Sequence, residues 1–293
     1  MKRRAETQKT SVHEDQRVFK GQYERTKYRD RPGTCTKVKN RREQFVWNLY
    51  ARFYDSIYHL IPYRKLLWDT YQALDFKPGM KILDAGCGTG NFEKFISEKN
   101  PPPIQIEATD FSPVMLARAQ KKCKHLGYVN FKLADLNKEL DYPAGTFDRI
   151  LSINVLYALE DCCFTIQGFL RILKPEGKIV LTSSKPDFRF SPIIQDHFKR
   201  IKNIWGISRR VATLLKTFVV VSTTGLGSGL LNIYVINRRE RRGIYRSLSK
   251  EEFASIFERD SQNIVQNLTI DSSFADQNLV AIATKVTSGM VQK

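Results

Sequence analysis

Between positions 81 and 184, short apolar runs alternate with stretches of helical periodicity, and no other feature restricts the chain as much. Strand candidates fall at 81–85, 104–109, 129–133, 147–153 and 177–183, with helical patterns at about 91–99, 113–125 and 160–173. Such alternation with short links makes parallel strands covered on both faces by helices, the doubly wound α/β class. Two helical patterns come first. Phe45, Tyr50, Phe53, Tyr54, Ile57 and Tyr58 recur at helical spacing over 45–60, Pro62 is expected to end that helix, and a second covers 64–74. Near the other end, Ser249-Lys-Glu-Glu252 reads as a capping box opening a helix through Ile256. The runs 264–271 and 278–286 then form a closing hairpin.

The first strand runs into ILDAGCGTGNF at 82–92, where Gly86, Gly88 and Gly90 bare the backbone. The spacing is G-x-G-x-G and not the G-x-G-x-x-G of dinucleotide sites, and a tight turn alone would also call for glycine. Its place between a strand and a helix puts backbone N–H groups at the carboxyl edge of the sheet, where ligands bind in this class. Two more acids end the next strands. Asp110 closes the second, within IEATDFSPVMLARA, and a carboxylate there can accept from both hydroxyls of a ribose. Asp135 closes the third, within NFKLADLN, where it can accept from the exocyclic amine of adenine. Singly, each acid is explained as a solvated loop carboxylate. Together with Asp84, they mark three successive strand ends.

DAGCGTG at 84–90, TDFSPVML at 109–116, LADLN at 133–137, FDRILSINVLYAL at 147–159 and LRILKPEGKIVL at 170–181 resemble the successive motifs of class I S-adenosylmethionine-dependent methyltransferases. The resemblance spans roughly 80–184, in order. It implies a Rossmann-like sheet of seven strands in the order 3-2-1-4-5-7-6, the last strand pair antiparallel, with helices on both faces. It implies S-adenosyl-L-methionine as cofactor, bound by Asp84, Ala85, Gly86, Cys87, Gly88, Gly90, Asp110, Phe111, Asp135, Leu136 and Asn154. In that scheme the glycine loop lies under the methionine part, and Asp84 orients the loop and the cofactor's ammonium. Asp110 holds the ribose, Asp135 meets the adenine amine, and Phe111 and Leu136 sandwich the ring. A sulfonium methyl is already activated, so alignment and a dry pocket suffice. No catalytic base is assigned: none of the four histidines (13, 59, 125, 197) sits in a strand-edge motif. No metal is expected either. The five cysteines (35, 87, 123, 162, 163) form no C-x-x-C pair, which points away from zinc and disulfides and toward a reducing, cytoplasmic interior.

For the methyl acceptor, SINVLYALED after the fourth strand lacks the Asp/Asn-Pro-Pro-Tyr sequence that grips a planar amine in adenine or glutamine methylation. Asn154 and Tyr157 instead resemble the position seen in family members acting on small molecules, quinones and lipids. YARFYDSIYHLIPYR at 50–64 is similar to the helix covering the cofactor in ubiquinone/menaquinone and phospholipid-headgroup methyltransferases. Tyr54 and Tyr58, one turn apart, are expected to face the pocket with Tyr157 on the substrate side. Core packing would account for such aromatics equally well.

The net charge of +18 is localised. Residues 1–43 hold 14 Lys/Arg against 6 Asp/Glu, and residues 185–246 hold 13 against 3, while the remainder has 21 of each. Residues 1–40 are polar and read as a mobile basic arm, with no apolar core to mark a secretory signal. Residues 41–293 read as one methyltransferase domain with a basic insertion at about 185–246. In that insertion Ile194, Phe198, Ile201, Trp205, Val211, Leu215 and Phe218 follow helical spacing. Lys199, Arg200, Lys202, Arg209 and Arg210 fall on the other faces, as in an interfacial helix, or in a lid with a solvated basic face. Positions 217–237 carry no charge, but a Gly/Ser/Thr centre between FVVV and LLNIYVI reads as a loop between β-rich pieces. Three functions stay open: a small-molecule or lipid-like acceptor methylated at an anionic inner membrane surface, an RNA- or protein-directed methyltransferase whose basic segments grip phosphates, and a non-catalytic binding module. The aromatic–aliphatic pattern favours lipid; the Arg238-Arg-Glu-Arg-Arg242 cluster favours nucleic acid.

Overall fold

The computed structural model describes residues 40–220, 245–260 and 264–286. The basic arm, the Arg238–Arg242 cluster and LLNIYVI lie outside the described residues. Helices α1 (Asn40–Tyr54) and α2 (Ile61–Leu74) precede β1 (Lys81–Ala85), α3 (Asn91–Ser97), β2 (Gln105–Asp110), α4 (Pro113–Lys122) and β3 (Val129–Leu133). Then follow β4 (Phe147–Ile153), α5 (Cys162–Ile172), β5 (Leu173–Ser184), α6 (Phe190–Lys202), α7 (Ile207–Val220), α8 (Lys250–Asp260), β6 (Val265–Ser273) and β7 (Asn278–Lys285).

The seven strands form one sheet in the order β3-β2-β1-β4-β5-β7-β6. The first five run parallel, and β7 pairs antiparallel with both β5 and β6. Strand β4 is almost wholly buried because it is covered on both faces. Alternate side chains part accordingly. Leu83, Ile150, Ile179 and Leu181 pack with Phe169 of α5 and Phe253 of α8. Ile82, Leu151, Ile153 and Val180 pack on the other face with Leu66 and Leu67 of α2 and Phe95 of α3.

Four local features differ from expectation. The helix expected over 45–60 stops at Tyr54, a 3-10 turn occupies Asp55–His59, and Pro62 opens α2 in its first turn instead of closing α1. A proline lacks the N–H that a helix interior needs but fits the first turn, where none is required. The insertion holds two helices, separated at Gly206 with φ 93°. Residues 218–220 are helical, not β-rich. Strand β5 begins at Leu173, opposite Phe147, and the register then jumps to Arg149–Lys178, so Lys174–Gly177 bulge. The capping box is reciprocal: Glu252 N donates to Ser249 Oγ at 3.1 Å and Ser249 N to Glu252 Oε2 at 3.0 Å. No helix among the described residues is long and apolar enough to cross a membrane.

Candidate functional site

A cavity opens at the carboxyl edge of β1, β2, β3 and β4, floored by Gly86 and Gly88 and walled by Asp110, Phe111, Asp135, Leu136 and Asn154. The loop after β1 is tied to β2. Gly86 and Cys87 both donate to Thr109 O, at 2.7 and 2.8 Å, and Gly88 N donates to Asp110 Oδ2 at 2.9 Å. The other oxygen of Asp110 accepts from Ser112 N at 2.8 Å, at the start of α4. Burial lifts the Asp110 carboxyl to about 6, against the pull of these backbone donors. Asp135 Oδ1 accepts from both the backbone and side-chain nitrogens of Asn137 at 3.1 Å. Asn154 takes a left-handed conformation (φ 58°), its amide donating to Thr182 O and its side-chain oxygen accepting from Asn278.

Helix α1 and its 3-10 turn roof the cavity. Ser112 Oγ donates to Asn48 Oδ1 at 2.7 Å, and Thr89 Oγ1 to Asp55 Oδ1 at 2.6 Å. Lys122 Nζ reaches Asp55, Thr89 and Asn91 at 2.5, 3.1 and 2.7 Å, locking roof, loop, α3 and α4 together. The Tyr54 ring rests on the loop. A Cβ built at Gly88 would meet its Cε1 at 3.5 Å, so a side chain there would take up ligand space. Behind the ring stands Tyr63, whose phenol burial pushes up to about 12.

The remaining residues singled out in the sequence divide between wall and support. Asp84 does not line the cavity. It is buried beneath the loop beside Glu93, with Oδ1 and both Glu93 oxygens lacking hydrogen-bond partners among the described residues. Burial, and then their mutual repulsion, holds Asp84 well above the usual carboxylate range. Ala85 O accepts from Ser152 Oγ, Cys87 is a buried thiol, and Gly90 lies against Ala119 of α4 and Cys123 just after it, a close approach that leaves little room for a Cβ. Tyr58 points away from the cavity: the 3-10 turn breaks the helical phase it would share with Tyr54, and its hydroxyl donates to Glu98 at 2.6 Å. Tyr157 stands behind the wall, edge-on to Tyr245 at 5.6 Å. His59 and His197 lie outside the lining. Sequence reasoning missed Trp47, Met115, Val155, Glu160 and Tyr245 in the wall and Asp55, Glu93 and Lys122 around the loop. Only the first-turn position of Glu93 just after the glycines offered a signal.

The cavity thus offers the Asp110 and Asp135 carboxylates to hydrogen-bond donors, apolar faces for a flat ring, and a bare loop beneath a phenol, a set that fits an adenosine carrying a cationic amino-acid tail. The family profile described as a methyltransferase domain matches residues 76–260. Demethylmenaquinone methyltransferase of Geobacillus sp. is 29% identical over 174 residues, 57% of this chain and 74% of that enzyme. Phosphoethanolamine N-methyltransferase 3 of Arabidopsis thaliana is 33% identical over 127 residues, 39% of this chain and 24% of that enzyme. Among solved structures, a SAM-dependent methyltransferase from Aquifex aeolicus shares the fold, with TM-score 0.50 over 79% of this chain and 93% of that one at 16% identity. With a family match over most of its length and the strand order to go with it, the chain belongs to the class I methyltransferases and uses S-adenosyl-L-methionine as cofactor.

Proposed function

We propose that this methyltransferase acts on a small-molecule or lipid-like acceptor whose reacting end carries no negative charge. When bound, S-adenosylmethionine supplies a methyl group already activated on sulfonium, so the chain's task is alignment and exclusion of water. Each oxygen of Asp110 accepts one backbone hydrogen bond and keeps a lone pair for the ribose hydroxyls. The second oxygen of Asp135, 3.8 Å from the exposed Lys138 Nζ, is the one that faces the adenine amine, between Phe111 and Leu136. Gly86 and Gly88 carry the amino-acid tail, with the buried Asp84 and Glu93 carboxyls beneath the loop. Tyr54 closes the roof.

One observation supports the acceptor class most directly. Among the described lining residues there is no Lys, Arg or His, although the chain carries +18. The mouth presents Trp47, Tyr54 and Tyr245 with the Glu160 carboxylate, suited to a neutral or cationic acceptor with an apolar body. The relatives named for demethylmenaquinone and phosphoethanolamine are in keeping with small acceptors. A peripheral place on an anionic membrane, through the basic segments 1–43 and 185–246, completes the reading. The test is transfer from labelled S-adenosylmethionine into a detergent-dispersed cell extract, fractionated afterwards. Label is expected in the organic-extractable small molecules. Label confined to RNA or protein overturns the acceptor assignment.

A further inference from the structure

Helix α7 is amphipathic the wrong way round for a helix packed on a globular body. Its inward side is small and polar: Thr217 is only 7% exposed, 3.0 Å from His197 Nε2, and donates to Thr213 O at 2.8 Å. His197 is fully buried, and its Nδ1 accepts from Ile61 N at 3.1 Å, at the start of α2. That bond places the ring proton on Nε2, toward Thr217, so a neutral imidazole rivets α7 to the roof. The outward side carries the apolar residues. Ile207, Val211, Leu215 and Phe218 are 79%, 47%, 61% and 71% exposed, and Trp205 just before the helix is 88% exposed.

At 100° per residue, the exposed apolar residues of α7, Leu214 and Val219 included, share an arc of roughly 140°. Thr213 and Thr217 lie across the helix from that arc. Arg210 and Lys216 border it, one beyond each edge, while Arg209 lies farther round beside Thr213, and the segment ISRRVATLLKTFVV contains no acid. The single stripe expected over 194–218 is divided: Ile201 of α6 is buried in the body and Ile194 partly so, while Phe198, 44% exposed, and the α7 residues face out. An apolar stripe bordered by cations matches the depth profile of an anionic bilayer, with acyl chains below and phosphates at the rim. A second copy set face to face would bring its own Arg210 and Lys216 against the first with no carboxylate on either helix to meet them.

We propose that α7, led by Trp205, is the surface through which the enzyme docks on anionic membrane. This refines the membrane part of the function proposed above. The docked face adjoins the roof: α7 packs on the 3-10 turn Asp55–His59, whose Asp55 holds the glycine loop. The experiment is co-sedimentation with phosphatidylcholine vesicles, with and without phosphatidylserine, alongside calorimetric titration of S-adenosylmethionine. Wild-type protein should bind only the anionic vesicles. Trp205→Ser with Phe218→Ser should lose about tenfold or more in partitioning with unchanged cofactor affinity. Arg210→Gln with Lys216→Gln should lose several-fold and much of the dependence on phosphatidylserine. Absence of vesicle binding by cofactor-competent wild-type protein overturns the proposal, as does a doubling of mass in solution that the Trp205/Phe218 variant abolishes. Because the transfer assay uses dispersed acceptor and needs no docking, failure here leaves the acceptor assignment standing.

Discussion

A methyl group added at Gly86 would sit 2.4 Å from Val155 Cγ2, where the turn after β4 presses against the loop after β1. Gly79 supplies the control, because it has nearly the same φ (82° against 87°) and nothing within 4 Å of its virtual Cβ. Gly79→Ala should therefore cost only the left-handed conformation, about 1–2 kcal/mol in denaturant unfolding. Gly86→Ala should cost about 2 kcal/mol more, from overpacking, and weaken S-adenosylmethionine as well. Equal costs would show that Val155 simply moves aside. Asp110 leads to a prediction in pH. Its carboxyl, raised to about 6 from an ordinary 3.8, favours the unliganded fold when protonated. That contribution is full below about pH 4 and lost as pH rises through about 6. Accepting from two ribose hydroxyls requires the ionised form, so cofactor affinity should fall on acidification through about 6, by up to about tenfold per pH unit below it. Asp110→Asn should bind about 1.5–3 kcal/mol more weakly near neutral pH, show a flatter pH profile, and melt higher without cofactor. A variant that keeps the wild-type pH profile would assign the titration to the Asp84–Glu93 pair instead.

The latch on Asp55 is a property of elements, since it joins the 3-10 turn to the glycine loop and to the ends of α3 and α4. Lys122 is only 18% exposed along its side chain, and its ammonium faces one carboxylate. Lys122→Met keeps the stem, deletes the charge, and should speed hydrogen exchange at 55–59 and 86–90. A double-mutant cycle with Asp55→Asn should give a coupling of about 1–2 kcal/mol, between exposed and buried pairs. Unchanged exchange would mean that the roof is held by Ser112 and Asn48 alone. This latch was not legible in the sequence, because it joins residues 34, 67 and 31 positions apart that carry no shared motif. The sheet was legible, since period and strand-end acids are local signals, and so were Asp110 and Asp135 as the acids of the wall. Tyr58 misled because helical spacing reveals phase only while the helix lasts, and α1 stops four residues earlier. Trp47 and Tyr245 reach one wall, 6.3 Å apart, from opposite ends of the chain, which no periodicity announces.

At the scale of the whole molecule, charge and structure are separable. All seven strands, both large core clusters and every described cavity residue lie at or beyond α1, which begins at Asn40. The preceding 39 residues carry 12 Lys/Arg and 5 Asp/Glu, so their removal lowers the net charge from +18 to +11. If these residues act as an auxiliary to the domain, deleting 1–39 should leave stability within about 0.5 kcal/mol, the range of ordinary surface changes. S-adenosylmethionine affinity, set by groups after position 43, should stay within about twofold on the same grounds. Binding to anionic vesicles should fall by about tenfold or less, because the apolar stripe of α7 remains while part of the long-range attraction is gone. The truncated protein should also respond less to added salt, since fewer exposed charges are left to be screened. Complete loss of vesicle binding with cofactor affinity intact would make the arm, and not α7, the main anchor. Loss of cofactor binding would instead show that the first 39 residues belong to the catalytic domain.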